Sequence, residues 1–148
     1  MPYTETLYHF TDHRNIESIK EKGLLSAARL YGEYKMKFDV DFFPASTKSS
    51  RRIDYRKDLN NFIRLSPTDS HPMAKQATEE GRVEELVWLE IDFTIALKGK
   101  FEVKFSDINA ASNSATINSD YKTFTQSYDT QREVLIRGKI PTEFIKFP

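Results

Sequence analysis

The sequence predicts an α+β fold in a single domain that spans residues 1–148. Patterns typical of helices occur mostly in the first half of the chain, whereas most strand patterns follow them. No internal repeat and no linker interrupts this order. A chain of 148 residues can bury a sizeable core without disulfides or a structural metal, so we expect one compact unit.

The elements of the first half are predicted from short patterns. Residues 7–10 are typical of a short strand, and Asp12 is a suitable N-cap for a helix that ends at Gly23. The segment "LLSAARLYGEYK", residues 24–35, predicts a second and shorter helix. Residues 33–61 are charged and aromatic with little periodicity, so we expect a long irregular segment, which in a small domain is usually functional or disordered.

The second half predicts mainly strands. The segment "ELVWLEIDF" alternates apolar and polar residues and is the clearest strand in the chain. One helix is expected at residues 71–80, because Gly81 follows it as a terminator, and the small polar residues 107–120 predict a loop. The remaining strand patterns are "NFIRLSP", ended by Pro67, then "KFEVKF", "REVLIRG" and "TEFIKF".

Composition excludes several classes of function. The chain has no cysteine, so a disulfide framework, a zinc-thiolate site and a cysteine nucleophile are all excluded. The formal net charge is zero, so contact with a polyanion requires a local basic patch. No membrane span or signal peptide is recognisable, and we expect a soluble cytoplasmic protein. The glycine motifs of Rossmann and P-loop nucleotide sites and the GxSxG elbow are also missing.

Glu133 lies at the start of an apolar strand, "VLIRG", where an unpaired carboxylate would be costly to bury. Side chains alternate along a strand, so Gln131 and Glu133 point to one side and Arg132 to the other. A carboxylate and an amide on one face of a cleft suit a polar ligand such as a sugar. The alternative interpretation is a surface ion pair at a strand end.

The segment "YHFTDH" contains two histidines four residues apart. His9 is predicted in a strand and His13 in a helix, so this spacing does not place them on one face and no metal site is expected. His9, together with Thr11, could instead hydrogen-bond a substrate. The alternative is a histidine that borders the core.

One segment of the chain has a clear excess of positive charge, "KSSRRIDYRKDLNNFIR". Arginine side chains bind phosphate oxygens in a bidentate manner, and an aromatic residue such as Tyr55 can stack on a base. The alternative is a solvated face without a ligand. The cations of this segment are Lys48, Arg51, Arg52, Arg56, Lys57 and Arg64.

Four segments, in this order, resemble the DarT-type DNA ADP-ribosyltransferases. "LYHFTDHRNIESIKEKGLLS" resembles the strand with Tyr-His-x-Thr, the helix and the Gly-Leu turn that open this family. "RRID" followed by "FIRLSPTDSHPM" resembles its arginine, strand and Pro-Met element. "NAAS" resembles the small residues before its substrate-facing loop, and "QREVLIRGKIPTEFI" resembles its closing strand with a leading glutamate.

The resemblance implies a fold and a co-substrate. The fold would be of the ADP-ribosyltransferase type, with two small packed β-sheets around an NAD cleft and helices on the flanks. NAD would be consumed as a co-substrate without a metal. Glu133 would be the catalytic residue, and Arg52, or its neighbour Arg51, would contact the diphosphate or help to expel nicotinamide. The other residues implied to contact NAD are His9, Thr11 and Met73.

The resemblance also implies an acceptor and partners. Residues 106–130 would present single-stranded nucleic acid, and the candidate nucleic-acid contacts are Lys48, Arg56, Asn109 and Ser112. The residue after the Pro-Met element is Ala74, where the family has an aromatic or basic residue, so the acceptor base stays open. The biological setting would be a toxin opposed by a macrodomain-type or other antitoxin, or an anti-phage defence component, with no membrane partner.

Two alternative functions remain open from the sequence. The chain could be a non-catalytic nucleic-acid-binding module of the same fold. It could also be an ADP-ribosyltransferase that modifies protein, because the spacing of Gln131 and Glu133 resembles the paired positions of arginine-modifying transferases.

Overall fold

A computed structural model of the protein describes residues 6–30, 43–97 and 99–148. The helices with defined bounds in these ranges are α1 (Ile16–Lys22), α2 (Lys48–Arg56), α3 (Pro72–Glu79) and α4 (Lys122–Thr125), and residues 27–30 are also helical. The strands are β1 (Thr6–Asp12), β2 (Leu24–Leu25), β3 (Phe62–Leu65), β4 (Leu86–Asp92), β5 (Val103–Ser106), β6 (Ile117–Asn118), β7 (Glu133–Arg137), β8 (Lys139–Ile140) and β9 (Ile145–Lys146).

Within the described ranges the strands form three antiparallel sheets, with orders β1-β4-β9, β3-β7-β5-β6 and β2-β8. The two larger sheets meet where Tyr8 of β1 and Ser66, just after β3, exchange backbone hydrogen bonds of 2.7 and 2.8 Å. This junction places His9 of β1 next to Arg64 of β3. The predicted α+β class is therefore confirmed, with a two-stranded sheet in addition to the two expected.

The turn after β1 begins as predicted at Asp12, whose side chain accepts hydrogen bonds from the backbone N–H groups of Arg14 and Glu84, both at 2.9 Å. A 3-10 turn at His13–Asn15 precedes α1. Burial alone would raise the pKa of Asp12, but these hydrogen bonds and the Arg14 guanidinium lower it to about 2. The capping carboxylate is therefore charged at neutral pH and fixes the start of the helical segment.

Two expectations for residues 24–61 need correction. Residues 24–25 form β2, not the start of a helix, because Leu24 pairs with Ile140 of β8 and this tertiary contact overrides local propensity. Residues 27–30 are helical, as predicted, and the remainder of the predicted helix beyond residue 30 lies outside the described residues. The segment predicted to be irregular contains α2, which Thr47 caps by accepting a hydrogen bond of 3.0 Å from the Ser50 N–H.

The other predicted elements are confirmed with different lengths. The loop at residues 107–120 includes the short strand β6. Most of "TEFIKF" forms a 3-10 turn at Thr142–Phe144, which leaves only Ile145–Lys146 as β9. Phe144 is buried and packs edge-on against Phe101, with ring centroids 5.7 Å apart. The turn therefore coincides with the burial of Phe144, a tertiary contact that the alternation of apolar and polar residues in the sequence does not reveal.

The core lies between the two larger sheets and is centred on β7. Val134, Leu135 and Ile136 are all fully buried, which confirms the predicted interior strand. Leu135 points to a second, smaller cluster, whereas Val134 and Ile136 belong to the main cluster. Other fully buried members of the main cluster are Leu7, Leu65, Leu89, Ile95, Phe124 and Ile140. Burial of such side chains contributes about 1.5–3 kcal/mol each relative to exposure. The first residue of β7 is thus held by a rigid strand.

Candidate active site

Glu133 is the first residue of β7, and only 6% of its surface is exposed. Its Oε1 accepts hydrogen bonds from the backbone N–H of Ala110 at 2.7 Å and from Nη2 of Arg64 at 2.8 Å. Its Oε2 accepts a hydrogen bond from Nε of Arg64 at 2.9 Å. The buried carboxylate is therefore paired and hydrogen-bonded, as the cost of desolvation requires.

Arg64 lies on the neighbouring strand β3, opposite Leu135 of β7. Glu133 is two residues before Leu135, so it is the diagonal neighbour of Arg64 on the same face of the sheet. The rest of the guanidinium is also bonded: Nη1 donates to Oδ1 of Asp54 at 3.0 Å, and Nη2 donates to Oδ1 of Asn109 at 2.6 Å. We call these four residues, Glu133, Arg64, Asp54 and Asn109, the Glu133 network.

In the Glu133 network one cation faces two carboxylates. Burial would lower the pKa of Arg64, but the carboxylates of Glu133 and Asp54 outweigh burial and raise it. Burial raises the pKa of Asp54, although Arg64 opposes that shift. The carboxylate of Glu133 lies in the wall of the cleft, where a fixed carboxylate favours a ligand that develops positive charge.

Two histidines border the same region in complementary tautomers. Nδ1 of His9 lies 3.1 Å from the carbonyl oxygen of Arg64 and must donate to it, because a carbonyl only accepts. Nδ1 of His71 accepts a hydrogen bond of 3.1 Å from the Met73 N–H. Burial lowers the pKa of both rings. Each is therefore neutral near pH 7, and Nε2 is an acceptor in His9 and a donor in His71.

The lowered pKa of His71 predicts pH-dependent stability. The folded state binds fewer protons than the unfolded state below the ordinary histidine pKa of about 6.5, so stability should fall as the pH falls through that value. We expect the decrease in Tm between pH 7 and pH 5 to be smaller in His71→Asn, because asparagine keeps the cap on α3 without titrating. The Tm of both proteins at each pH is measured by thermal unfolding, followed by circular dichroism. Equal decreases in both proteins would contradict this assignment.

These groups line a cleft of about 430 Å³, which is in the size range of small-molecule sites. Four residues predicted to act on NAD are found in its wall: His9, Thr11, Met73 and Glu133. Thr11 is buried, and its hydroxyl accepts a hydrogen bond of 3.0 Å from the side chain of Asn15. Asp54, Arg64, Ser66 and His71 also line the cleft. The structure thus brings together elements far apart in sequence.

Arg52 and Arg56, unlike the residues above, are not in the wall of the cleft. Both side chains are exposed on α2, and neither belongs to the residues that line the cleft. Of the side chains that the structure describes, the cation that contacts Glu133 is Arg64, on β3. The side chains of Lys48 and Arg51 lie outside what the structure describes, so their predicted contacts stay predictions.

Asn109 and Ser112 lie in the segment that supports Glu133. Nδ2 of Asn109 donates to Oε1 of Gln131 at 3.3 Å, in addition to the contact of Asn109 with Arg64. Nζ of Lys57 donates to the carbonyl oxygens of Ala110 at 2.6 Å and Ser112 at 2.7 Å. Lys57 therefore ties this turn to the end of α2, and the Ala110 N–H is presented to Glu133.

The side chains around the head of β7 diverge as strand alternation predicts. Glu133 lines the cleft, whereas the Arg132 guanidinium lies 4.9 Å from the centre of the Phe124 ring and is not part of the cleft wall. Gln131 reaches the Glu133 network only through Asn109 and does not line the cleft. The predicted pairing of Gln131 and Glu133 on one ligand is thus an indirect contact within the protein.

Sequence reasoning missed the roles of Arg64 and Asp54, which it treated only as members of a charged segment. A signal for Arg64 was present, because "FIRL" places an arginine inside an otherwise apolar strand, where a cation requires a buried partner. Asp54 had no comparable signal. Its position next to Arg64 depends on how α2 packs.

The described part of the chain contains neither a metal-binding cluster nor a helix that could span a membrane. Among residues 6–30, 43–97 and 99–148, no group of three or more His, Asp or Glu side chains is arranged to hold a metal ion. In the same ranges no helix is long and apolar enough to cross a membrane.

Comparison with protein families gives a match over most of the chain. The model of a family described as "ssDNA thymidine ADP-ribosyltransferase, DarT" matches residues 8–129. No match is found among curated proteins.

Solved structures with similar folds cover almost the whole chain. Thermus sp. 2.9 DarT in complex with ADP-ribosylated ssDNA has a TM-score of 0.75 and 15% identity, over 98% of this chain and 82% of that one. The same Thermus protein in complex with NAD+ has a TM-score of 0.68 and 16% identity, over 98% and 81%. Thermosipho africanus DarTG in complex with ADP-ribose has a TM-score of 0.73 and 20% identity, over 96% and 43%. These similarities confirm the predicted fold.

Proposed function

The chain belongs to the DarT family of single-stranded DNA thymidine ADP-ribosyltransferases, and from this premise we propose that its cleft binds NAD and that Glu133 catalyses transfer of ADP-ribose to a base of single-stranded DNA. The observation that carries the proposal is the position of Glu133. Its carboxylate is held in the wall of the cleft at the head of a strand whose next three residues are fully buried. By family, the expected acceptor base is thymine.

The chemistry of NAD cleavage suits this carboxylate. When the bond between nicotinamide and ribose breaks, positive charge develops on the sugar, as in other glycosidic transition states. A fixed carboxylate that accepts a hydrogen bond from the ribose 2′-hydroxyl stabilises that charge more than it stabilises bound NAD, which accelerates the reaction. Glu133 is also suited to take the proton from the attacking base.

The cleft wall supplies groups for the rest of NAD. We assign His9, Thr11 and Met73 to the nicotinamide side, because all three share the wall with Glu133. The neutral His9 ring offers a hydrogen-bond acceptor there. The Thermus relative, which has a similar fold, was solved with NAD+ and with carba-NAD+. NAD would act as a co-substrate.

The exposed side of α2 fits a contact with the acceptor strand. Arg52 and Arg56 are exposed there, and Tyr55 is 69% exposed between them. Arginine contacts phosphates and tyrosine stacks on bases without sequence preference, which suits single-stranded DNA. Further proposed contacts are Lys48, Asn109 and Ser112, while the alternative contact of Arg52 or Arg51 with the NAD diphosphate stays a prediction.

We propose that the protein acts as a toxin or an anti-phage effector. We also propose that residues 1–148 form a single domain. Attachment of ADP-ribose to DNA bases blocks base pairing, so the cell requires an opposing activity. The Thermosipho relative is a DarTG protein solved with ADP-ribose. A partner that removes ADP-ribose, of macrodomain or other type, is therefore the expected antagonist.

The direct test combines NAD with single-stranded oligonucleotides and identifies modified nucleosides by mass spectrometry. We expect a mass increase of one ADP-ribosyl group on thymidine, and none on a matched oligonucleotide without thymidine. Duplex DNA should react much more slowly, because its bases must first be flipped out. Label found only on protein, or no consumption of NAD with any oligonucleotide, would contradict the proposal.

A further inference from the structure

Arg64 uses all three nitrogens of its guanidinium inside the protein. Nε and Nη2 form a bidentate pair with the two oxygens of Glu133, at 2.9 and 2.8 Å. Nη2 also donates to Asn109, and Nη1 contacts both oxygens of Asp54 at 3.0 and 3.3 Å. The donors of a guanidinium have a rigid planar arrangement, so acceptors on three sides fix the orientation of Arg64.

The same contacts distinguish the two oxygens of Glu133. Oε1 accepts two hydrogen bonds, from Arg64 and from the Ala110 N–H, whereas Oε2 accepts one, from Nε of Arg64. Each carboxylate oxygen has two lone-pair directions. As far as the described residues are concerned, one direction therefore remains available on Oε2, and the carboxylate belongs to a residue that lines the cleft.

We propose that Arg64 is a positioning residue that holds the Glu133 carboxylate with one lone pair of Oε2 directed at the ribose of NAD. This inference rests on the function proposed above for Glu133. Arg64 itself does not touch the reacting atoms in this assignment. Asp54 and Asn109 take part by holding the far side of the guanidinium.

A simpler role for Arg64 is to neutralise the buried charge of Glu133. The two roles make different demands on the side chain. Neutralisation requires any cation near the carboxylate, which a lysine supplies, whereas orientation requires the planar arrangement of Nε and Nη2. The geometry favours orientation, because Nε and Nη2 each bond one oxygen of Glu133, a pairing that a lysine ammonium does not reproduce.

The experiment is steady-state kinetics of Arg64→Lys with NAD and a thymidine-containing oligonucleotide. We expect kcat to fall by roughly 10- to 100-fold, because a displacement of about 1 Å at a reacting group costs up to about 100-fold. KM for NAD should change by less than about threefold, since binding of the ground state does not depend on that orientation. A variant with unchanged kcat would overturn the proposal and leave charge neutralisation as the role.

Arg137→Lys is the matched control. Arg137 also belongs to a carboxylate pair, with Glu102 at 3.2 Å, but both side chains are about half exposed and lie at the far end of β7. We expect wild-type kcat for this variant. Tm measurements on both variants separate a loss of orientation from a loss of folded protein.

If Arg64→Lys does not fold, Asp54→Ala tests whether Arg64 positions the Glu133 carboxylate. This change leaves the pair between Arg64 and Glu133 in place and removes only the far anchor of the guanidinium. A decrease in kcat at unchanged KM for NAD supports positioning, and wild-type kcat overturns it. Glu133→Gln tests the underlying function separately. If Glu133→Gln is inactive while Arg64→Lys and Asp54→Ala are fully active, only the role of Arg64 is wrong.

Discussion

Glu133→Gln is expected to reduce the rate of ADP-ribose transfer by roughly 100- to 1,000-fold, the range found when one group that stabilises transition-state charge is removed. Glutamine has the size of glutamate, so it keeps the shape of the cleft, but it removes the negative charge and turns one acceptor oxygen into a donor that faces an N–H of Arg64. The measurement is transfer of label from NAD to an oligonucleotide at saturating NAD. KM for NAD should change little, because the lost interaction matters mainly in the transition state.

Glu102→Gln is a suitable control for this experiment. Glu102 also pairs with an arginine of β7, Arg137, but at the surface, where its side chain is 51% exposed. We expect wild-type transfer for this variant, because exposed pairs contribute little to stability and this pair is not part of the cleft wall. Transfer by Glu133→Gln as fast as by wild type would show that the carboxylate is not catalytic. A Tm close to that of wild type excludes unfolding as the cause of any loss.

Gly23→Ala is expected to destabilise the protein by roughly 2–4 kcal/mol, the largest loss of stability we expect from a single methyl group. Gly23 ends α1 with φ of +82°, a conformation that costs other residues about 1–3 kcal/mol. A Cβ here would also lie 2.7 Å from the carbonyl oxygen of Ile140, a backbone atom that cannot move aside. Relief of that contact requires separation of β2 from β8. Chemical denaturation at constant pH measures the change.

Gly81→Ala isolates the contribution of the backbone conformation. Gly81 follows α3 with φ of +73°, yet no atom lies within 4 Å of the position that a Cβ would occupy. We expect a loss of about 1 kcal/mol, from the positive φ alone. If both alanine variants lose equal stability, the close approach to Ile140 contributes nothing and the interpretation of Gly23 is wrong. Because Gly23 also lines the cleft, its variant should be assayed for transfer below its Tm.

The Glu133 network connects stability to the proposed chemistry. A buried arginine with two carboxylate partners is seldom the most stable solution for a core, because desolvation of the charges offsets much of their attraction. The same arrangement gives a carboxylate of fixed orientation in the wall of the cleft. The cost in stability is therefore consistent with a functional role. The apolar residues of β7 compensate for it, since Val134 to Ile136 are completely buried.

Local patterns of the sequence determined a large part of the fold. The alternation in β4, the apolar run of β7, the Asp12 cap and the Gly23 end of α1 each depend on residues close together in the chain. Such features are set by side-chain period and backbone preference, so one segment is sufficient to predict them. The helix α2 was missed because its sequence is dominated by charged residues.

The candidate site was also predictable only in part from the sequence. The sequence by itself identified Glu133, because a charged residue at the head of an apolar strand is a local conflict that calls for an explanation, and family resemblance supplied one. Only the tertiary structure decided that Arg64 contacts Glu133. That contact depends on the register of β3 against β7 and on the packing of α2, which place Asp54 and Asn109 around the same guanidinium. Contacts between residues 45 to 69 positions apart in the chain carry no local signal, so pattern alone did not predict them.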